Sequence, residues 1–164
     1  MARETTYAIE PATAEDGDAC VAILRALPAW FGIEEAVQAY SVELREMETF
    51  VARHDGAVIG FLTLNEHNDV TAEIHLMAVD PGWHRRGVGR ALVRHAEDLA
   101  RARGRQLLEV KTLGPSHPDE GYRKTRAFYD AMGFLPLEEI HDLWPGNPCL
   151  IMVKVLWNGM PGEG

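Results

Sequence analysis

The stretch Val79-Asp-Pro-Gly-Trp-His-Arg-Arg-Gly-Val-Gly89 restricts the fold of this chain more than any other feature. An apolar run, Val70 to Val79, reads as a strand and is broken by Asp80-Pro81-Gly82. From Gly87 to Arg103 the residues Val88, Ala91, Leu92, Ala96 and Leu99 form one apolar stripe, and Gly104 is a natural stop. Gln106 to Val110 then reads as a second strand. A strand–helix–strand run of this kind, set among antiparallel hairpins, favours a mixed sheet covered by helices.

The turn inside that unit also points to a ligand. The first turn of a helix has unpaired amides and a partial positive charge, which together attract anions. Gly87 and Gly89 have no side chain to keep a phosphate away, and Arg85, Arg86 and Arg90 surround the same place. A Walker loop would need Lys-Ser/Thr after the last glycine, where Arg90-Ala91 stands. A dinucleotide fingerprint would need a third glycine, where Leu92 stands. Seven arginines and only two acids lie between His84 and Arg105, in a chain whose net charge is −9. A cationic patch on an acidic protein suits a small phosphorylated ligand and disfavours nucleic acid.

Around this unit the pattern predicts a strand at Tyr7–Glu10 ended by Pro11, and a capping box at Thr13–Asp16 leading into a helix that Pro28 ends. A second helix follows over Glu34–Leu44. Strands at Thr49–Arg53 and Ala57–Asn65 flank the hairpin signal Asp55-Gly56. A short helix at Thr125–Met132 and strands at Phe134–Ile140 and Cys149–Val155 complete the order β-α-α-β-β-β-α-β-α-β-β. This is an α/β (α+β) pattern: a mixed, mostly antiparallel central sheet flanked by helices. With 164 residues and 46% hydrophobic content, residues 1–157 suffice for a single domain, with a flexible tail over 158–164. No apolar run spans a bilayer, the start lacks a signal-peptide core, and two cysteines build no disulfide framework. The expected location is the cytoplasm. No histidine pair has metal-ligand spacing, so no metal is expected.

The strand Glu73–Val79, the turn and the later stretch Ala127-Phe-Tyr-Asp-Ala-Met-Gly-Phe134 together resemble the GCN5-related N-acetyltransferase (GNAT) superfamily. Its acyl-CoA signature, Gln/Arg-x-x-Gly-x-Gly/Ala, corresponds to His84-Arg-Arg-Gly-Val-Gly89, with His84 departing from the usual residue. A second signature, Phe-Tyr-x-x-x-Gly-Phe, is met by Phe128, Tyr129, Gly133 and Phe134. Where the family often has Asn, seven residues before that tyrosine, this chain has Tyr122.

The resemblance implies the GNAT acyl-CoA N-acyltransferase fold, with two parallel strands splayed at the cofactor cleft. It implies acetyl-CoA as acyl donor. The pyrophosphate would lie on His84, Arg85, Arg86, Gly87, Val88, Gly89 and Arg90, and the pantetheine along the backbone of Met77, Ala78 and Val79. Tyr122, Thr125 and Phe128 would contribute further cofactor contacts. An amide near Met77 or Ala78 would polarise the thioester carbonyl. Acetyl transfer needs a neutral amine, and at pH 7 roughly one lysine-like amine in two thousand is neutral. Glu73, eleven residues before His84 as in some histone acetyltransferases of the superfamily, is the first candidate base. His75, two residues on and therefore on the same strand face, could share or replace that role. Tyr129, a phenol protonated at pH 7, is the candidate acid toward the CoA sulfur.

Trp30, Phe31, Tyr40 and Trp144 lie where the superfamily usually builds its acceptor pocket, and His117 is carried close to the expected cleft by the charged loop Gly114–Gly121 and is a further candidate acceptor contact. The expected reaction is transfer of acetyl to a primary amine by direct attack in a ternary complex, with a small-molecule acceptor. The rivals are a protein amine (lysine or N-terminal) and a non-catalytic acyl-CoA-binding module. No membrane partner is expected, and a homodimer is left open.

Overall fold

The computed structural model describes residues 6–156, so the expected tail and residue 157 lie outside the described residues. Its strands are β1 (Ala8–Pro11), β2 (Glu48–His54), β3 (Ala57–Glu66), β4 (Thr71–Val79), β5 (Leu107–Leu113), β6 (Leu135–Trp144) and β7 (Asn147–Val155). Its helices are α1 (Gly17–Arg25), α2 (Glu34–Glu46), α3 (Val88–Ala102) and α4 (Glu120–Ala131). This is the element order read from the sequence. The strands are hydrogen-bonded in the order β1-β2-β3-β4-β5-β7-β6, and most of the pairs are antiparallel. β4 and β5 run parallel, over Thr71–Ile74 against Leu107–Val110.

The described chain divides into two compact units whose boundaries in sequence fall within β3, β4 and α3. One contains the chain up to Asn65 together with His75–Ala96. Its core joins Val21 and Leu24 of α1, Leu27 just beyond it, Val37 and Leu44 of α2, Val51, Phe61, and Leu76 and Ala78 of β4. Asp55 and Gly56, with φ of 47° and 80°, make the tight turn between β2 and β3. The capping box is formed: the Asp16 carboxylate accepts from the Thr13 amide at 2.8 Å and from the Thr13 hydroxyl at 3.2 Å. It also accepts from the Arg53 guanidinium at 2.8 and 2.9 Å.

The other unit contains Glu66–Ile74 and the chain from Glu97 onward. Its interior includes Leu108, Val110, Tyr129, Phe134, Leu150 and Met152.

Several expected boundaries move, each for a local reason. Pro11 stays inside β1, opposite Phe50, because β1 is an edge strand where a missing N–H is tolerated. β5 continues beyond Val110 to Leu113 because Lys111–Leu113 pair with Ile151–Cys149 of β7. α4 begins at Glu120 rather than Thr125, because the Asp119 side chain accepts from the Tyr122 amide at 3.0 Å and caps the helix early. β6 extends to Trp144, which pairs with Asn147 across a turn containing Gly146 at φ 74°.

Asp16 supplies a test of the first unit. Burial would raise its carboxyl, but the Thr13 amide and the Arg53 guanidinium outweigh burial and hold it below the usual carboxylate range. Its contribution is therefore present above the unfolded pKa of about 4 and lost as pH falls through the lower folded value. Asp16→Asn is expected to lower stability at neutral pH and to flatten the acid limb of the stability profile. Urea unfolding between roughly pH 3 and 7 reads both effects.

Candidate functional site

Val79 ends β4, and Asp80 begins the turn by accepting from the Gly82 amide at 2.8 Å. Arg85 and Gly87 both take left-handed φ, 63° and 80°, before α3 starts at Val88. Arg85 is one of two non-glycine residues with positive φ among the described residues, and that conformation costs an L-residue free energy. A turn of alternating hand leaves successive amides to be met by an anion. His84, the departure from the family signature, has a defined place: its Nε2 lies 2.8 Å from the Val79 carbonyl oxygen. Its ring also meets Trp30 edge-on at 6.3 Å. Arg86 stacks on Trp83 at 5.1 Å, and Trp83 in turn contacts Tyr7 and His54.

The arginine-rich segment resolves into two parts. Arg101 pairs with Glu97, and Arg103 and Arg105 both pair with Glu66. Among the described residues no carboxylate pairs with Arg85, Arg86 or Arg90, all three of which are exposed. The unneutralised positive charge is thus concentrated at the turn, where the left-handed Gly87 also leaves the backbone bare. These features fit the diphosphate of an acyl-CoA.

In the same unit, α2 faces the second half of β4. Tyr40 and Glu43 are one helical turn apart, on the same side of α2. Glu43 Oε2 lies 2.7 Å from His75 Nε2. The Tyr40 ring meets His75 at 6.5 Å and Phe31 at 6.0 Å, both edge-on. Burial first, then the neighbouring Glu43 charge, push the Tyr40 phenol upward, so it stays protonated. Trp30, Phe31, His84 and His75 therefore belong to two aromatic contacts chains in this unit, whereas Met77, Ala78 and Val79 contribute the end of the strand.

Glu73 belongs to the other unit and is almost entirely buried. It is not the exposed strand carboxylate that an isolated glutamate would suggest. Its register partner across the parallel ladder is Glu109. Lys111 Nζ donates to Glu73 at 2.6 Å and pairs with Glu109 at 2.9 Å. His67 Nε2 lies 3.2 Å from Glu73 and 3.0 Å from Glu109. Burial opposes the Lys111 charge, but the two carboxylates outweigh it and raise its pKa. The ligand atoms of His67, Glu73 and Glu109 lie within 4.8 Å of one another, a spacing a metal could use. The Lys111 ammonium already holds both carboxylates, so a divalent ion would have to displace it.

Tyr129 is buried in α4, with its ring 5.2 Å from Phe128 and 5.3 Å from Phe134. Burial alone drives its phenol well above the usual value, so it remains a proton donor at neutral pH. Tyr122 and Thr125 sit on the first turns of the same helix, and the Thr125 hydroxyl donates to the Gly121 carbonyl at 3.2 Å. His117 is exposed in a loop that the Ser116 hydroxyl ties to Glu139 of β6. Trp144 is half-buried at the end of β6 rather than in a loop.

Sequence reasoning missed Glu43, Glu109, Lys111 and His67. Glu109 and Lys111 were legible in principle, since period-2 alternation puts them on one strand face. The parallel register that brings Glu109 opposite Glu73 was not. Glu43 carried no signal, because helix and strand are far apart in sequence.

The family model for the acetyltransferase (GNAT) family matches residues 22–134. The chain is 37% identical over 83 residues to a mycothiol acetyltransferase of Beutenbergia cavernae, a match covering 51% of this chain and 26% of that protein. The chain thus spans about a quarter of the length of that relative. Its fold is similar to the ribosomal-protein-S18-alanine N-acetyltransferase of Escherichia coli, with a TM-score of 0.78 at 19% identity over 97% of this chain and 99% of that one. It is also similar to a GNAT acetyltransferase of Elizabethkingia anophelis with acetyl-CoA bound, with a TM-score of 0.68 at 16% identity over 93% and 99%.

The ion cluster carries a prediction. Lys111→Met leaves Glu73 and Glu109 without their ammonium and is expected to cost about 3 kcal/mol of stability in chemical denaturation. An unchanged unfolding midpoint would show that the two carboxylates do not depend on Lys111.

Proposed function

Since the chain belongs to the acetyltransferase (GNAT) family, we propose that it transfers the acetyl group of acetyl-CoA to a primary amine, by direct attack in a ternary complex. The observation that carries this reading is the turn at His84–Gly89, with left-handed Arg85 and Gly87 and three arginines lacking an acidic partner among the described residues. Acetyl-CoA supplies the activated carbonyl. The amides and guanidinium groups of Arg85–Arg90 hold its diphosphate, and the end of β4, Met77–Val79, presents backbone to the pantetheine and an N–H to the developing oxyanion.

The proton acceptor for the amine comes from β4, where Glu73 and His75 are the candidates. Tyr129 donates to the departing sulfur, a role that suits a phenol kept protonated by burial. Tyr122, Thr125 and Phe128 of α4 contribute further cofactor contacts. The acceptor is a small molecule, with Trp30 and Phe31, in the unit that holds the turn, as its contacts. The similarity to a protein named mycothiol acetyltransferase supports that choice. Among the described residues no helix is long and apolar enough to cross a membrane, and the cytoplasm is the proposed location.

The test is CoA release, detected with a thiol reagent, at fixed acetyl-CoA across a panel of small amines and peptides. Release with small primary amines is expected. Release with peptides alone would make the acceptor a protein, and CoA binding without release would make the chain a non-catalytic module. Tyr129→Phe is expected to lower kcat by about 10²-fold with little change in the KM for acetyl-CoA. Equal losses in both would make Tyr129 a packing residue. Gly89→Glu adds bulk and negative charge at the turn and is expected to abolish CoA binding in calorimetry, and retained affinity would remove the turn from the site.

A further inference from the structure

The two candidate bases on β4 stand in different surroundings. The Glu73 carboxylate, 4% exposed, is already engaged by Lys111 at 2.6 Å and lies 3.2 Å from His67. Its oxygens are engaged by the Lys111 ammonium and the His67 ring inside the parallel ladder, which pairs Glu73 with Glu109 and ends one residue later at Ile74. His75 is the first residue beyond that ladder, and its side chain keeps 24% of its surface exposed. One ring nitrogen, Nε2, faces the Glu43 carboxylate at 2.7 Å. The Tyr40 ring packs edge-on against the imidazole at 6.5 Å.

A carboxylate beside one imidazole nitrogen does two things. It places the proton of the neutral ring on that nitrogen, and so leaves the lone pair on the other. It also stabilises the imidazolium that forms when the ring takes up a proton. From these positions we infer that Glu43 is the positioning residue that makes His75, rather than Glu73, the proton acceptor of this site. Glu43 holds the neutral ring as the Nε2–H tautomer. Nδ1 then takes the proton that the attacking ammonium group must lose, and the resulting imidazolium is held against Glu43 until the proton passes to solvent. Tyr40, one turn earlier on α2, fixes the ring plane and is kept protonated beside Glu43, so it adds no competing charge. Glu43 and Tyr40 are the titratable groups that α2 directs at His75.

The inference rests on the acetyl-transfer reading, and its test separates the two. Nitrogen-15 NMR of the histidine rings, at a pH where His75 is neutral, reads the tautomer without any substrate. The wild-type His75 ring is expected in the Nε2–H form, and Glu43→Leu is expected to give a mixture. In the amine-dependent CoA-release assay, Glu43→Leu and His75→Ala are each expected to lower kcat by at least about 10-fold, with the KM for acetyl-CoA changed less than about twofold. In the His75→Ala background, Glu43→Leu is expected to add less than about a twofold loss, because residues acting as one unit are not additive. Glu43→Gln, which retains an acceptor oxygen, is expected to recover part of the rate. An Nδ1–H tautomer in the wild-type protein would overturn the inference. So would full activity in His75→Ala, or an undiminished Glu43→Leu effect in that background, and in either case amine-dependent release by the wild-type protein would leave the acetyl-transfer reading standing. Absence of release by the wild-type protein would count against that reading instead, while the tautomer measurement would still decide whether Glu43 sets the state of His75.

Discussion

The parallel ladder of Thr71–Ile74 against Leu107–Val110 is the interaction on which the rest of the structure depends. It requires a crossover, and α3 provides it with an amphipathic stripe whose Val88, Leu92, Val93 and Ala96 are all buried. The same crossover has to start from a tight turn after Val79, and that turn is where the backbone becomes left-handed at Arg85 and Gly87. The anion-binding character proposed for the turn therefore follows from the topology. A helix beginning directly after a strand end presents its amides there whether or not a ligand exists. What is particular to this chain is the charge placed around it. Arg101, Arg103 and Arg105 are neutralised by Glu97 and Glu66, and those at the turn have no carboxylate partner among the described residues.

The ladder also divides the chemistry of β4. Glu73 lies inside it, opposite Glu109, and two carboxylates so close in a buried setting need cations. Lys111 meets that need, the His67 ring lies against the same two carboxylates, and a residue so engaged serves the fold. His75 lies past the ladder, where α2 supplies its partner. The alternation of a strand puts Glu73 and His75 on one face in sequence terms, yet their neighbours come from different elements and give them different tasks.

How much of this was legible in the sequence depends on the range of the interaction. The Thr13–Asp16 cap, the Asp55-Gly56 turn and the strand–turn–helix at Val79–Val88 are local, and residue type at fixed spacing was enough to find them. Boundaries moved where a distant partner extended an element, as β7 does for β5 at Lys111–Leu113, or where a side chain such as Asp119 capped a helix earlier than its apolar pattern suggested. The Glu73 cluster and the Glu43–His75 contact were out of reach, because both depend on register and on helix placement. The family signatures pointed to Glu73 and Tyr129 as residues, and only the structure showed that one is held by the Lys111 ammonium and the other by aromatic rings.

An acyl-CoA is proposed to bind at the turn Arg85–Gly89. Backbone amide NMR during a titration with CoA tests this most directly, since every amide of the turn reports separately. Saturable shifts are expected, largest at Arg86, Gly87, Val88 and Gly89, with an affinity that falls as salt is raised. Saturable binding that leaves those amides unmoved, or no binding at all, would contradict it.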